Sequence, residues 1–218
     1  MGTRAIIYIA SGQEYINQAV RSALSVSGKY PTILCVSLTD NTTVDGNDLS
    51  LAFNEIVLLP NRESPHWYLD SIRYFNTVLS LEYDEFLYLD CDTFICGDLD
   101  PFFEVLAKYD LVTTQAIGRE ITPNPDIPDS FPEPHIGAMA FKNNDRVMWL
   151  FEEWLSVMED NLNKYKDNDQ AALREALWMN DEVNLGILPA EYCFRFRWGG
   201  LVSGPVRVLH GKEHDRIR

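Results

Sequence analysis

The sequence predicts an α/β fold, a mixed, mostly parallel sheet flanked by helices, built as a single domain over residues 1–218. Short apolar runs that end in turn residues alternate with segments of helical period, the pattern of parallel strands joined by crossover helices. The longest helical pattern, Val147, Leu150, Phe151, Trp154, Leu155 and Met158, repeats at i, i+3, i+4, i+7, i+8 and i+11, as an amphipathic helix covering a sheet requires. The 46% hydrophobic content of 218 residues is enough for one well-buried core.

In chain order, Ala5 to Ala10 reads as a strand, Ser11-Gly12-Gln13 as a turn, and Tyr15 to Val26 as a helix with Ile16, Ala19, Val20, Ala23 and Leu24 on one side. Strands follow at Thr32 to Leu38, ending near Asp40, and at Ile56 to Leu59, ending at Pro60. Tyr68, Ile72, Phe75 and Leu79 have helical spacing, with Arg73 on the polar face, and lead into a strand ending at Asp90. Leu111 to Thr114 is another strand. Gly118 to His135 carries Pro123, Pro125, Pro128, Pro132 and Pro134 and is expected to be an ordered loop beside the site or packed on it. His135 to Phe141 returns as a strand in which Gly137 would permit close approach of a ligand. Asp167-Asn168-Asp169-Gln170 opens a helical run through Leu177, and Val206 to Leu209 is a short strand ending at His210.

The chemistry concentrates in Phe86-Leu87-Tyr88-Leu89-Asp90-Cys91-Asp92. An apolar strand here delivers two carboxylates to its carboxyl end, beyond which open α/β sheets bind ligands. Residues two apart along extended chain point the same way, so Asp90 and Asp92 are candidates for one hard divalent cation, Mn²⁺ or Mg²⁺. An EF-hand reading fails, because Phe94 and Ile95 stand where the loop needs Asp or Asn and then Gly. An Asp-x-Asp phosphatase is a rival, though its later acidic pair is not evident. Asp98 and Asp100, before Pro101, read as turn and cap residues.

The net charge of −15 argues against sequence-independent binding of nucleic acid or an anionic membrane. It also argues against a phosphate site without a cation. Cys35, Cys91, Cys96 and Cys193 lack a Cys-x-x-Cys pair and read as reduced core thiols. The first residues lack a signal-peptide pattern and no segment is long and apolar enough for a membrane span, so the expected location is cytoplasmic.

Tyr88-Leu89-Asp90-Cys91-Asp92-Thr93, Asp169-Gln170-Ala171-Ala172-Leu173 and the strand-end His210 together resemble the nucleotide-diphospho-sugar transferases of the Rossmann-like GT-A fold. The pattern resembles especially the glycogenin-like and bacterial galactosyltransferase-like enzymes of glycosyltransferase family eight. The resemblance implies a metal-dependent transfer of sugar from a nucleotide-diphosphate donor, expected to be a UDP-sugar, to a hydroxyl acceptor with retention. It implies Asp90, Asp92 and His210 as metal ligands, and Asp169 and Gln170 beside the transferred sugar. Tyr15 would stack on the base, Asp40 would accept from ribose or base, and Arg73 or Lys212 would add positive charge near the phosphates. The family's Lys-Pro-Trp element after the histidine is missing; here Gly211 and Lys212 follow at once. Should the enzyme invert, Asp126, Asp129 and Glu133 are as eligible as Asp169 for general base. A sugar-1-phosphate nucleotidyltransferase would need a Gly-rich basic first loop, which Ala10-Ser11-Gly12-Gln13-Glu14 is not. A non-catalytic nucleotide-sugar or metal-binding module is the remaining alternative, distinguished by donor binding without turnover.

Overall fold

A computed structural model describes residues 2–37, 47–61, 63–116, 123–196 and 201–211. The strands are β1 (Arg4–Ser11), β2 (Thr32–Ser37), β3 (Glu55–Leu58), β4 (Glu85–Leu89), β5 (Thr93–Ile95), β6 (Leu111–Gln115), β7 (Pro134–Lys142), β8 (Leu185–Leu188), β9 (Phe194–Arg195) and β10 (Val208–His210). The helices are α1 (Gln13–Leu24), α2 (Asn47–Ala52), α3 (Trp67–Val78), α4 (Asp100–Leu106), α5 (Asp145–Asp160), α6 (Leu162–Tyr165) and α7 (Asp169–Met179). Seven strands form one sheet in the order β3-β2-β1-β4-β7-β6-β8. Only β7 runs against its neighbours; the pairings of β1 with β2 and β4, of β2 with β3 and of β6 with β8 are parallel. The predicted mixed, mostly parallel sheet is therefore the one observed.

Both faces of the central strands are buried, which is why they read as continuous apolar runs rather than alternating ones. Ile7 and Ile9 of β1, with Phe86 and Tyr88 of β4, pack under α3, α5 and α7. Ile6, Tyr8 and Ala10, with Leu87 and Leu89, pack under α1, α2 and α4 on the other side. Phe75 is the hub of the first layer, its ring centroid 4.9 Å from Tyr88, 5.1 Å from Phe151 and 5.6 Å from Trp154.

The chain leaves β1 toward β2 and β3 on one side and returns to β4 on the other. The carboxyl ends of β1 and β4 thus lie side by side at the point where the winding direction changes, the position where such sheets open a binding crevice. A second sheet, β5-β10-β9, closes this end: β10 runs antiparallel to β5 and parallel to β9. Its register sets His210 opposite Thr93, immediately after the Asp90-Cys91-Asp92 turn. The last strand ends at His210 rather than Leu209, and β5, β8, β9 and α2 are elements the hydrophobic pattern did not indicate.

The proline-rich segment is without helix or strand over 123–133. It is tied to α7 by the buried Arg174, whose guanidinium donates to the carbonyls of Phe131 at 2.9 Å and Pro128 at 2.8 Å. Asn124 adds a 3.0 Å bond to Glu175 of the same helix.

Candidate active site

Asp90 is fixed from below by a directed chain of hydroxyls. Tyr8 donates to Ser22 at 3.0 Å, Ser22 to Thr93 at 2.7 Å, and Thr93 to the Asp90 carbonyl at 2.8 Å. The last donation sets the direction of the other two, since each hydroxyl has one proton to give. The amide of Asp90 donates to the Gly137 carbonyl at 3.0 Å, and the Tyr88 hydroxyl donates to Asp90 Oδ1 at 2.6 Å. The Asp92 carbonyl accepts from the Gly211 amide at 3.0 Å, which locks the end of β10 onto the turn.

This pinning brings Nε2 of His210 to 3.1 Å from Asp90 Oδ2 and 3.1 Å from Asp92 Oδ1. The three side chains offer two carboxylate oxygens and an imidazole nitrogen within 4.8 Å of one another. That donor set suits a hard or borderline divalent cation. Burial alone would depress the His210 imidazole, but its hydrogen bonds to Asp90, Asp92 and Cys193 hold its pKa well above the usual value. Burial would raise Asp90, yet the hydrogen bond and charge of His210 and the Tyr88 hydroxyl bring it down to about 2. The protonated histidine stands among these carboxylates as a cation would.

The set opens into a cleft of about 170 Å³, lined also by Ser11, Tyr15, Gln18, Trp67 and Arg195. Tyr15 and Trp67 form a stacked pair with centroids 6.1 Å apart and planes at 22°. Both rings are partly exposed, an aromatic surface at the mouth suited to a flat heterocycle.

A family profile described as nucleotide-diphospho-sugar transferase matches residues 67–211, more than half of the chain, including the Asp90-x-Asp92 turn, the α7 start and His210. The chain belongs to the nucleotide-diphospho-sugar transferase family. Its general activity is accordingly glycosyl transfer from a nucleotide-sugar donor, and the ground for the phosphatase alternative is gone. Comparison with curated proteins gives no significant match.

Other residues singled out in the transferase sequence lie as follows. Tyr15 lines the cleft. Asp169 opens α7, its carbonyl accepting from Trp154 Nε1 at 2.9 Å, and its charge adds to the burial and the Asp90 charge that raise the Tyr88 phenol. Gln170 is buried and its side-chain oxygen accepts from the Ile136 amide at 3.3 Å, so it holds the start of β7 against α7. Arg73 does not line the cleft: its guanidinium bridges Asp70 at 3.1 Å and Glu159 at 2.5 Å, joining α3 to α5. Asp40 and Lys212 lie outside the described residues.

Gly137 serves a close approach, but of two histidines. A Cβ there would sit 2.6 Å from His210 Nδ1 and 2.7 Å from His135 Cε1. Trp67, Arg195 and His135 are site residues that sequence reasoning missed. Trp67 begins an apolar helix and looks like core, and Arg195 and His135 belong to no motif. Only the pairing of β9 with β10, His210 beside Arg195, brings that arginine to the cleft. Among the described residues no helix is long and apolar enough to cross a membrane.

Proposed function

We propose that the transferase is a divalent-cation-dependent hexosyltransferase of the family-eight type, using Mn²⁺ or Mg²⁺ and a UDP-sugar and delivering the sugar to a hydroxyl acceptor with retention. The observation that carries this reading is the convergence of Asp90, Asp92 and His210 at the sheet's switch point, beneath an aromatic surface. Asp90 and Asp92 would each offer a carboxylate oxygen to the cation and His210 its Nε2. The chemistry supplied there, when the cation is bound, is Lewis-acid stabilisation of the charge that builds on the departing nucleoside diphosphate.

The chain's own residues do the rest. Tyr88 holds the Asp90 carboxylate in one orientation. Arg195 brings positive charge to the cleft and replaces Arg73, which is committed to Asp70 and Glu159, as the partner of the diphosphate. Tyr15 and Trp67 receive the base by stacking. Asp40 for the ribose or base and Lys212 for the phosphates remain assignments drawn from the resemblance. Asp169 for hydroxyls of the transferred sugar and Gln170 for its face opposite the leaving group are likewise assignments drawn from the resemblance, since neither lines the cleft. A cytoplasmic location accords with this donor chemistry.

The test is a thermal-shift panel of uridine, guanosine, cytidine and thymidine diphosphate sugars, each with Mn²⁺ and with chelator. Ligand at about a hundred times its Kd adds roughly 2.7 kcal/mol to native stability. The expected result is stabilisation by the uridine class only with Mn²⁺, abolished in Asp92→Ala. A folded protein that responds to no donor in the presence of metal would overturn the proposal.

A further inference from the structure

Behind His210, away from the carboxylates, lies a second cluster, two of whose members, His135 and Cys193, the transfer chemistry does not use. His135 and Cys193 are 3% and 5% exposed and His210 itself 3%. Cys193 Sγ is 3.4 Å from His135 Nδ1 and 3.8 Å from His210 Nδ1, and Nδ1 of His210 is 3.3 Å from Nε2 of His135. Zn–S and Zn–N bonds of about 2.3 and 2.0–2.1 Å at tetrahedral angles put neighbouring S and N ligand atoms about 3.6 Å apart. His135 Nδ1 accepts from the Gly137 amide at 3.1 Å, which leaves Nε2 as the ligand nitrogen of that ring, and the 3.8 Å Cys193 Sγ–His210 Nδ1 and 3.3 Å His210 Nδ1–His135 Nε2 separations are of this order.

The cluster is built rather than incidental. The His135 carbonyl accepts from the Thr113 hydroxyl, which anchors the start of β7 where the register with β6 shifts between Val112 and Thr114. Gly137 supplies the space that lets the two imidazoles meet, since a Cβ would strike both rings. Cys193 is placed by the 3-10 turn Ala190–Tyr192, its amide donating to the Ala190 carbonyl at 3.1 Å. One thiol and two imidazoles, all buried, are a soft-to-borderline donor set, unlike the oxygen-rich set in front.

We propose that His135, Cys193 and His210 form a second metal site, selective for a thiophilic divalent cation such as Zn²⁺. Coordination releases two protons to solvent, the thiol proton of Cys193 and the Nδ1 proton of the His210 imidazolium, and uses the Nδ1 so freed. The Nε2–H of the same ring then donates to Asp90 and Asp92, which stand at 3.1 Å to receive it, the carboxylate–imidazole–metal arrangement usual for ligating histidines. His210 is therefore shared through its two edges. A thiophilic ion behind it withdraws the imidazole from a hard cation in front and leaves that cation two carboxylates, so zinc occupancy antagonises the front site.

The test is an anaerobic titration of the full chain with Co²⁺, in a Cys96→Ser background because Cys96 is the exposed thiol. The expected result is a near-ultraviolet sulfur-to-cobalt charge-transfer band that saturates at a single equivalent and is displaced by Zn²⁺. The band is lost in Cys193→Ser and persists in Asp92→Ala, while His135→Gln weakens cobalt binding roughly tenfold or more. A protein shown by circular dichroism to be folded that gives no such band, or a band that survives Cys193→Ser, overturns the site. Should Cys193→Ser fail to fold, unchanged cobalt affinity in folded His135→Gln overturns it equally. The readout is thiolate absorption, so its failure leaves the Mn²⁺-dependent donor test standing.

Discussion

The Tyr88 hydroxyl sits at the last inward position of β4 and meets Asp90 Oδ1 at 2.6 Å. Burial, followed by the charges of Asp90 and Cys91, raises its pKa well above the ordinary phenol value, so it remains a donor throughout the working pH range. A protonated donor that fixes a ligating carboxylate usually accounts for about 10–100-fold in metal affinity. Tyr88→Phe is therefore expected to weaken Mn²⁺ binding by about that factor, read by calorimetry, while leaving the fold intact because the ring stays packed on Phe75. Gly137→Ala should be harsher. The added Cβ falls within 2.7 Å of both imidazoles, and neither ring has free space in which to turn, since His135 and His210 are both buried. Overpacking of this kind costs about 1–3 kcal/mol, and the displaced His210 should abolish cation-dependent donor stabilisation in a protein that still melts cooperatively.

At the scale of elements, polar side chains hold the joints. Asp110, at the head of β6, accepts from the Asn184 amide at 3.1 Å, from Asn184 Nδ2 at 3.2 Å and from Asn144 Nδ2 at 3.2 Å. It thereby joins β8 and the N-cap of α5 to the sheet. Burial opposes ionisation, but these bonds and the charge of Lys142 keep its pKa below the usual carboxylate value. The folded pKa is lower than the unfolded value of about 3.9. Its contribution is thus complete above that pH and is lost as pH falls through the depressed folded pKa. Asp110→Asn should cost about 1–3 kcal/mol at neutral pH, with the deficit narrowing below about pH 4 in urea melts. Arg174→Met, which strips the Pro128 and Phe131 carbonyls of their donor, should expose segment 123–133 to limited proteolysis before the domain unfolds. Most strands and helices of the large sheet were legible in the sequence because each carries its own apolar period, as α5 and β4 do; β8 and α2, four and six residues long, were not. In the small sheet only β10 was legible, as the apolar run ending at His210; β5 and β9 are three and two residues long and acquire their strand character from partners distant in sequence. The same division runs through the site: the Asp90-x-Asp92 turn announces itself after an apolar strand, whereas His135, Arg195 and Trp67 arrive through tertiary pairing that no local spacing records.

For the molecule as a whole, the net charge of −15 sets how the two ligands of the proposed reaction meet it. A divalent cation is drawn by the field of the entire chain as well as by the local carboxylates. A nucleotide sugar is repelled by that field and attracted only at contact, through the cation and Arg195. Salt acts differently on the two ranges, because the Debye length of about 8 Å at 0.15 M screens distant charges and hardly alters groups in contact. Raising ionic strength should therefore weaken Mn²⁺ binding, by removing the long-range attraction. It should leave donor affinity for the Mn²⁺-saturated protein unchanged or improved, by removing the long-range repulsion. Calorimetric titrations of cation and then donor at low and physiological ionic strength separate these signs. Donor binding driven by a basic surface would fall with salt, as it does for proteins that hold phosphates with clustered Lys and Arg; a steep fall in both titrations would mean that the diphosphate is held by such a surface and not by the cation at Asp90, Asp92 and His210.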